Sequence, residues 1–309
     1  MSSKGDPMVS PSSFHDGLLV IDKPRGPSSH QVTAWIGEIL GTRVGHAGTL
    51  DPGVSGVLTV MFGKAVRLAP LLLSEEKEYV CLLHTHGCVS EDRLKAALAE
   101  FTGRIYQRPP RKSAVARNLR IRVVHEIELL DAVDRFVLIR VRCDAGTYVR
   151  SLCHHLGLAL GTGAHMVELR RTRSGHFDET QACTLHELED ALVAARLGNP
   201  DLLQSLIQPP IKALISLPKV VIRDTAIDAV CHGAVLARPG MIGYDEFGKG
   251  VTVVLTTSRG EIVALGRTLI SSKETGLLNS GLIISPSTVF METGTYPRGW
   301  KKGGCASSP

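Results

Sequence analysis

Between residues 45 and 56 the chain reads Gly45-His46-Ala47-Gly48-Thr49-Leu50-Asp51-Pro52-Gly53-Val54-Ser55-Gly56. Four glycines and one proline in twelve residues favour irregular backbone, and the spacing predicts a long loop over 41–56. Asp51 precedes Pro52, which biases it toward an extended conformation. A carboxylate on a glycine-rich loop can approach a ligand closely and at a set angle, as a carboxylate nucleophile must. Aspartate is also a common turn residue, so spacing alone leaves both readings open.

Working outward, Gly17-Leu18-Leu19-Val20-Ile21-Asp22 reads as a short buried strand. The Lys23-Pro24-Arg25-Gly26-Pro27 loop follows, and Ser28 or Ser29 can cap a helix over 30–40. On the other side, strands are predicted over 57–61 and 78–86, with a short helix over 64–73 between them. Leu94, Ala97, Leu98 and Phe101 share one side of a helix over 90–102. Residues 121–130 and 135–143 alternate as an antiparallel pair, and 147–160 reads as a helix. Thr184 and Glu187 form a capping box for a helix over 184–196. The pattern changes near Pro209-Pro210 and Pro218. Short β runs follow at 219–222, 251–257 and 261–269, with one helix over 225–231, the signature of a small β-barrel or sandwich of ~80 residues.

Composition is that of a globular protein: 309 residues, 43% hydrophobic and 21% charged, with a net charge of +5. The seven cysteines, Cys81, Cys88, Cys143, Cys153, Cys183, Cys231 and Cys305, are odd in number and contain no CxxC. Together with the lack of a secretory h-region, this fits reduced thiols and a cytoplasmic location. No apolar stretch approaches bilayer-spanning length, so no membrane association is expected. There is no internal repeat, Walker A motif or dinucleotide fingerprint, which sets aside the usual nucleotide-driven enzymes.

Other stretches can carry chemistry. In Lys77-Glu78-Tyr79, Tyr79 is either a base-stacking face or a half-buried core residue. In Asp144-Ala145-Gly146-Thr147-Tyr148-Val149-Arg150, Arg150 falls in the first turn of a helix. A cation there opposes the helix dipole and calls for an anionic partner: an active-site carboxylate, a phosphate or a surface glutamate. Residues 104–122 hold Arg104, Arg108, Arg111, Lys112, Arg117, Arg120 and Arg122 without an acidic residue, and a second basic run is Arg170-Arg171-Thr172-Arg173. Such density favours phosphate contact over a merely solvated face. Cys81, His84, His86 and Cys88 lie close together, but their spacing matches no standard zinc pattern and Cys81 would face away from both histidines. No metal site is expected.

In combination these motifs resemble the pseudouridine synthase family that modifies the tRNA T-loop uridine, together with its dyskerin-like branch. The likeness is greatest to the archaeal catalytic subunit guided by H/ACA RNA, and it spans roughly residues 14–301. The resemblance implies an α+β fold with two parts. One is a catalytic domain over 17–215, a central mostly antiparallel mixed sheet flanked by helices. The other is a C-terminal, β-barrel-like PUA domain over 216–292. Residues 1–16 would be a flexible arm and 293–309 a fraying tail. It implies Asp51 as nucleophile, Arg150 as its partner and Tyr79 as the active-site tyrosine. Leu169 would line the uracil pocket, with His46, Tyr148 and Lys23 also at the substrate. Arg108, Arg111, Lys112, Arg117, Arg170, Arg171 and Arg173 would contact RNA. The chemistry implied is isomerisation of uridine to pseudouridine without metal or organic cofactor. The implied partners are a guide RNA, tRNA, rRNA and small H/ACA core proteins. A guide-independent tRNA enzyme and a non-catalytic RNA-binding scaffold are the competing readings.

Overall fold

The computed structural model describes residues 16–109, 116 and 118–297. Residues 1–15 of the expected 1–16 arm, and residues 298–309 of the expected 293–309 tail, Cys305 among them, lie outside the described residues. The chain divides into two compact units, Met1–Pro209 and Pro210–Pro309.

The first unit begins with strand β1 (Gly17–Lys23) and helix α1 (Ser29–Leu40). Ser28 caps α1: its hydroxyl accepts from Gln31 N, and the Gln31 side chain accepts from Ser28 N. Val32, Ile36 and Leu40 form the buried face. The region expected to be one long loop is partly strand. Strand β2 (Val44–Ala47) precedes the Asp51 loop and β3 (Val54–Phe62) follows it. The apolar residues of 57–62 need ladder partners, and both β1 and β2 supply them.

A 3-10 turn over Gly63–Leu68 leads into α2 (Ala69–Ser74). Then come β4 (Lys77–Thr85), α3 (Glu91–Glu100), β5 (Gly103–Gln107), β6 (Arg120–Val133), β7 (Phe136–Cys143), α4 (Val149–Ala159), β8 (Ala164–Ser174) and β9 (Phe177–Asp178). Helices α5 (Leu185–Arg196), with its Thr184–Glu187 capping box, and α6 (Asp201–Leu206) end the unit.

The strands form one sheet in the order β1-β3-β8-β4-β7-β6-β5, with β2 on β3 and β9 on β8. Every neighbouring pair is antiparallel except β3–β8. This is the expected mostly antiparallel mixed sheet. One apolar core, including Leu94, Leu98, Ile139, Leu152 and Leu156, brings α3 and α4 against the sheet; another packs α1, α5 and α6 over β1 and β3.

One topological detail places the Asp51 loop. Along a single edge, β3 pairs with β8 through Val54–Gly56 and with β2 through Thr59–Phe62. The loop therefore leaves the sheet where β2 and β8 diverge. Gly56, at φ +99°, lies so close to β8 that a Cβ would stand 2.2 Å from the Arg171 carbonyl oxygen. A side chain there would push the two parallel strands apart.

The second unit contains β10 (Lys219–Ile222), α7 (Asp224–Cys231), β11 (Leu236–Ala237), β12 (Met241–Tyr244), β13 (Thr252–Thr256), β14 (Ile262–Thr268), α8 (Ser272–Gly276) and β15 (Leu282–Val289). Six strands form a mixed sheet in the order β11-β15-β14-β13-β10-β12, over an aliphatic core that includes Val220, Ile227, Val253, Val263 and Ile283. Sequence patterning did not single out β11, β12 and β15. The first two are short, and β15 carries Ser285, Pro286 and Ser287 in its middle. The start of the expected fraying tail is tied down: Gly294 N donates to Asp228 at 2.8 Å, and the Tyr296 hydroxyl donates to Glu261 at 2.5 Å. Among the described residues no helix is long and apolar enough to cross a membrane.

Candidate active site

An open cleft of about 1050 Å³ lies in the first unit, where the loop before β3, strands β4 and β8, and the N-terminus of α4 converge. Asp51, Tyr79, Tyr148, Arg150 and Leu169 all line it. They come from distant parts of the chain. Sheet order brings them together, because β3, β8 and β4 are consecutive neighbours. Leu169 is the register partner of Val54 on one side and Cys81 on the other.

At the mouth of the cleft, Arg150 Nη2 donates to Asp51 Oδ2 at 2.6 Å. Both side chains are about half exposed, at 52% and 58% respectively, so a ligand can reach the carboxylate. Of the partners open to Arg150 from sequence, the structure shows a carboxylate, that of Asp51. Its helix, α4, has no side-chain N-cap. Gln107 stands in: its Oε1 accepts from Tyr148 N at 2.9 Å and its Nε2 donates to Tyr148 O at 3.1 Å. That clamp sets the start of the helix that carries Arg150.

The Asp51 loop is held at several points. Ser29, released from capping by Ser28, receives Leu50 N at 2.7 Å and donates its hydroxyl to Leu50 O at 3.0 Å. Gly26 N donates to Pro52 O at 2.8 Å. Lys23 is fully buried and donates to Val54 O at 2.7 Å and Pro24 O at 2.8 Å. Burial lowers the Lys23 pKa, Arg171 lowers it further, and Asp51 opposes them.

Beneath the loop lies Arg171, among the largest fully buried side chains. Its Nε donates to Val57 O at 2.7 Å and its Nη2 to Gly48 O at 3.0 Å. Val57 falls between the β8-paired and β2-paired parts of β3, where a carbonyl has no ladder partner on that edge. Burial pulls the Arg171 pKa down, against the favourable effect of Tyr79. Tyr79 is the register partner of Arg171. Its hydroxyl pKa is raised, first by burial, while the Arg171 charge pulls the other way. Lys77 completes the underside. It donates to Leu72 O at 3.0 Å and Glu75 O at 2.8 Å, and burial, aided by Arg171, pushes its pKa down to about 8. Burial pushes the neighbouring Glu75 carboxyl up to about 7, because neither buried oxygen has a hydrogen-bond partner.

Residues 38–149 match the N-terminal domain of TruB family pseudouridylate synthases, 150–214 match the tRNA pseudouridylate synthase B C-terminal domain, and 218–289 match the PUA domain. A probable tRNA pseudouridine synthase B of Methanocaldococcus jannaschii is 48% identical over 93% of this chain and 86% of its own. The chain belongs to the TruB family of pseudouridylate synthases.

A counterpart in Methanothermobacter thermautotrophicus is 47% identical over 92% of this chain and 89% of its own. Among solved structures, an H/ACA ribonucleoprotein bound to a substrate RNA containing 2′-deoxyuridine is 44% identical, with a TM-score of 0.87 over 96% of this chain and 95% of that one. A Cbf5-Nop10-Gar1 complex is 46% identical, also at 0.87, over 96% and 93%.

Within this synthase several expected contact residues take other positions. Lys23 does not line the cleft: its ammonium is consumed by loop carbonyls. His46 sits on β2 outside the cleft lining, edge-on to His30 with ring centroids 5.1 Å apart. Burial first, then the charges of His30 and Arg171, lowers its pKa. Arg170 is engaged within the protein by a two-pronged pair with Asp22, at 3.0 and 2.9 Å, and by Glu179. Arg171 is buried and cannot face RNA phosphates. Arg108 and Arg173 are exposed, whereas Arg111, Lys112 and Arg117 lie outside the described residues. Met166, Lys77 and Arg122 also line the cleft, and sequence reasoning gave them no role there. Ser29 and Gln107 were missed as positioning residues, since their task is visible only in three dimensions. The sole hint at Ser29 was a second serine beside a helix start that needs one.

Proposed function

We propose that this pseudouridine synthase acts through Asp51 on uridines of tRNA and rRNA, as the catalytic subunit of an H/ACA guide ribonucleoprotein. The observation that carries the chemistry is the Asp51–Arg150 pair, oriented and still accessible, at the mouth of a cleft large enough for a nucleotide. A stacked uridine exposes neither its anomeric carbon nor C5 to a side chain, so it is flipped into the cleft. An Asp51 oxygen attacks C1′ and the C1′–N1 bond breaks. The released uracil turns, C5 bonds to C1′, and the aspartate is set free. The C5 proton passes to solvent and N1 regains one. Arg150 holds the carboxylate in line. Tyr79 stacks on the base, Leu169 and Met166 form its apolar wall, and Tyr148 borders it. Arg108 and Arg173, with Arg111, Lys112 and Arg117, contact phosphates.

The guide-dependent reading rests on likeness to chains of H/ACA assemblies over 96% of this chain. It implies a guide RNA, small core proteins and a cytoplasmic location. The relatives' name, probable tRNA pseudouridine synthase B, favours a second reading, a guide-independent tRNA enzyme. Turnover on bare tRNA, compared with a guide–target pair plus core proteins, separates the two.

Tritium release from C5-labelled uridine RNA tests the nucleophile. Asp51→Asn is expected to lower turnover by roughly 10⁴-fold or more while RNA binding persists. Turnover near wild type would refute the role. Product absent from the wild-type protein with every RNA and partner supplied would favour the non-catalytic scaffold.

A further inference from the structure

The cleft draws on Tyr79 of β4. The far end of the same strand carries a group of imidazoles that the reaction does not use. His84 on β4 is the register partner of His165 on β8. Two residues on, His86 N donates to Gly163 O at 3.0 Å, extending the ladder. Residues two apart on a strand, and direct cross-strand partners, share one face of a sheet. The three rings therefore converge. Ring centroids lie 5.4 Å apart for His84–His165, 5.2 Å for His86–His165 and 6.2 Å for His84–His86. One ring nitrogen from each lies within 4.8 Å of the other two, and His86 Nε2 is 2.9 Å from His165 Nδ1.

The surroundings suit this convergence. Phe136, the β7 register partner of His84, lies 4.8 Å from that ring and walls one side. A Cβ on Gly163 would stand 2.8 Å from His86 Nδ1, so the glycine leaves space for the ring. Cys81 takes no part. It points into the core on the opposite face, with its sulfur 3.5 Å from that of Cys153.

We propose that His84, His86 and His165 form a mononuclear zinc site. A tetrahedral ion with nitrogens at ~2.0–2.1 Å spaces those nitrogens about 3.3 Å apart, so the 2.9 Å pair must open slightly and the wider separations, up to 4.8 Å, must close by small turns of the exposed rings. An all-imidazole donor set suits zinc, copper or nickel and disfavours magnesium and calcium, which seek oxygen. With three protein ligands the fourth position is left to water. Arg135, whose carbonyl accepts from Thr85 N at 2.9 Å, places a positive charge nearby and limits affinity. Tyr79 and His84 are separated by roughly 16 Å along an extended strand, so the ion staples β4 to β8 and takes no part in isomerisation. The expectation of no metal rested on the spacing of Cys81, His84, His86 and Cys88 and on the facing of Cys81; His165 lies on another strand, 79 residues from His86, where that spacing does not reach.

The test uses the full chain, stripped with chelator and then dialysed against zinc chloride with a colorimetric competitor. Wild type should take up one zinc per chain at micromolar free zinc. His84→Ala, His86→Ala and His165→Ala should each weaken uptake at least about tenfold, whereas Cys88→Ser should not. His165→Gln serves as a second variant should an alanine variant misfold, as judged by metal-free circular dichroism. Cobalt(II) in place of zinc should give visible d–d bands without a thiolate charge-transfer band. No zinc uptake by wild type, uptake unchanged in the three histidine variants, or a thiolate band would each overturn the site.

Discussion

In residues 16–209 the buried polar side chains include three cations, Lys23, Lys77 and Arg171, whereas in 210–297 they are threonines and Asp228. Each cation ends on backbone carbonyls: Lys23 on Val54 and Pro24, Lys77 on Leu72 and Glu75, Arg171 on Val57 and Gly48. In the second unit short hydroxyls do the equivalent task, as where Thr268 Oγ1 donates to Gly248 O at 2.7 Å. The difference follows from backbone regularity. Strand ladders serve most carbonyls of the second unit, so short side chains reach the remainder. Around the cleft the chain leaves its ladders to present Asp51, and beside the Ser29 hydroxyl on Leu50 O it takes long donors to reach stranded carbonyls such as those of Val54, Val57 and Gly48. Burying those cations opposes stability, and their hydrogen bonds offset it only while every partner remains.

The sharpest way to break this contrast is Arg171→Met, which keeps the stem and removes the donors. It should cost about 2–5 kcal/mol, because two buried acceptors lose their partners. Urea denaturation reads the loss, and a change below ~1 kcal/mol would mean that solvent serves those carbonyls. Ser29→Ala is expected to cost less, about 1–2 kcal/mol, while lowering kcat roughly tenfold with little change in KM, since it loosens the residue before Asp51. An equal effect on KM would place Ser29 in binding rather than positioning.

Glu75 sharpens the contrast through pH. Its folded pKa of about 7 lies above the ordinary carboxyl value of 4.5. Between those values the unfolded chain has released the proton and the folded chain retains it. Stability therefore falls as pH rises from 4.5 to about 7 and is flat above. Partial exposure limits the effect to at most about 2 kcal/mol. Glu75→Gln should remove this slope and raise the melting temperature at pH ~8; a melting profile identical to wild type from pH ~4.5 to 8 would refute it. The smallest effect is expected in the second unit. Tyr296→Phe deletes a surface hydrogen bond to Glu261 and should lower Tm by no more than ~2 °C. A larger drop would show that this end segment contributes more to the second unit than its exposure suggests.

Much of the architecture was legible locally. The Thr184–Glu187 capping box, the amphipathic face of α3 and the paired alternation of β6 and β7 each depend on neighbours in sequence. Strand β2 was not legible, because glycine and histidine give no alternation and its pairing comes from β3. The same limit applies to Arg170 and Arg171. A basic run reads as an RNA surface, but strand pleating sends the two to opposite faces, where Arg171 is buried against the Val57 carbonyl and the partly exposed Arg170 is tied to Asp22.

The sequence by itself determined the family, the presence of Asp51 on a glycine-rich loop, and the change of character near Pro218, all carried by contiguous residues. Tertiary structure alone decided that Ser29, Lys23 and Arg171 hold the loop and that His165 joins His84 and His86, and it gave the Arg150–Asp51 pair implied by the resemblance its geometry. The physical reason is the same in each case. These contacts link residues far apart in the chain, and sheet order, not local propensity, brings them within hydrogen-bonding or ligating reach.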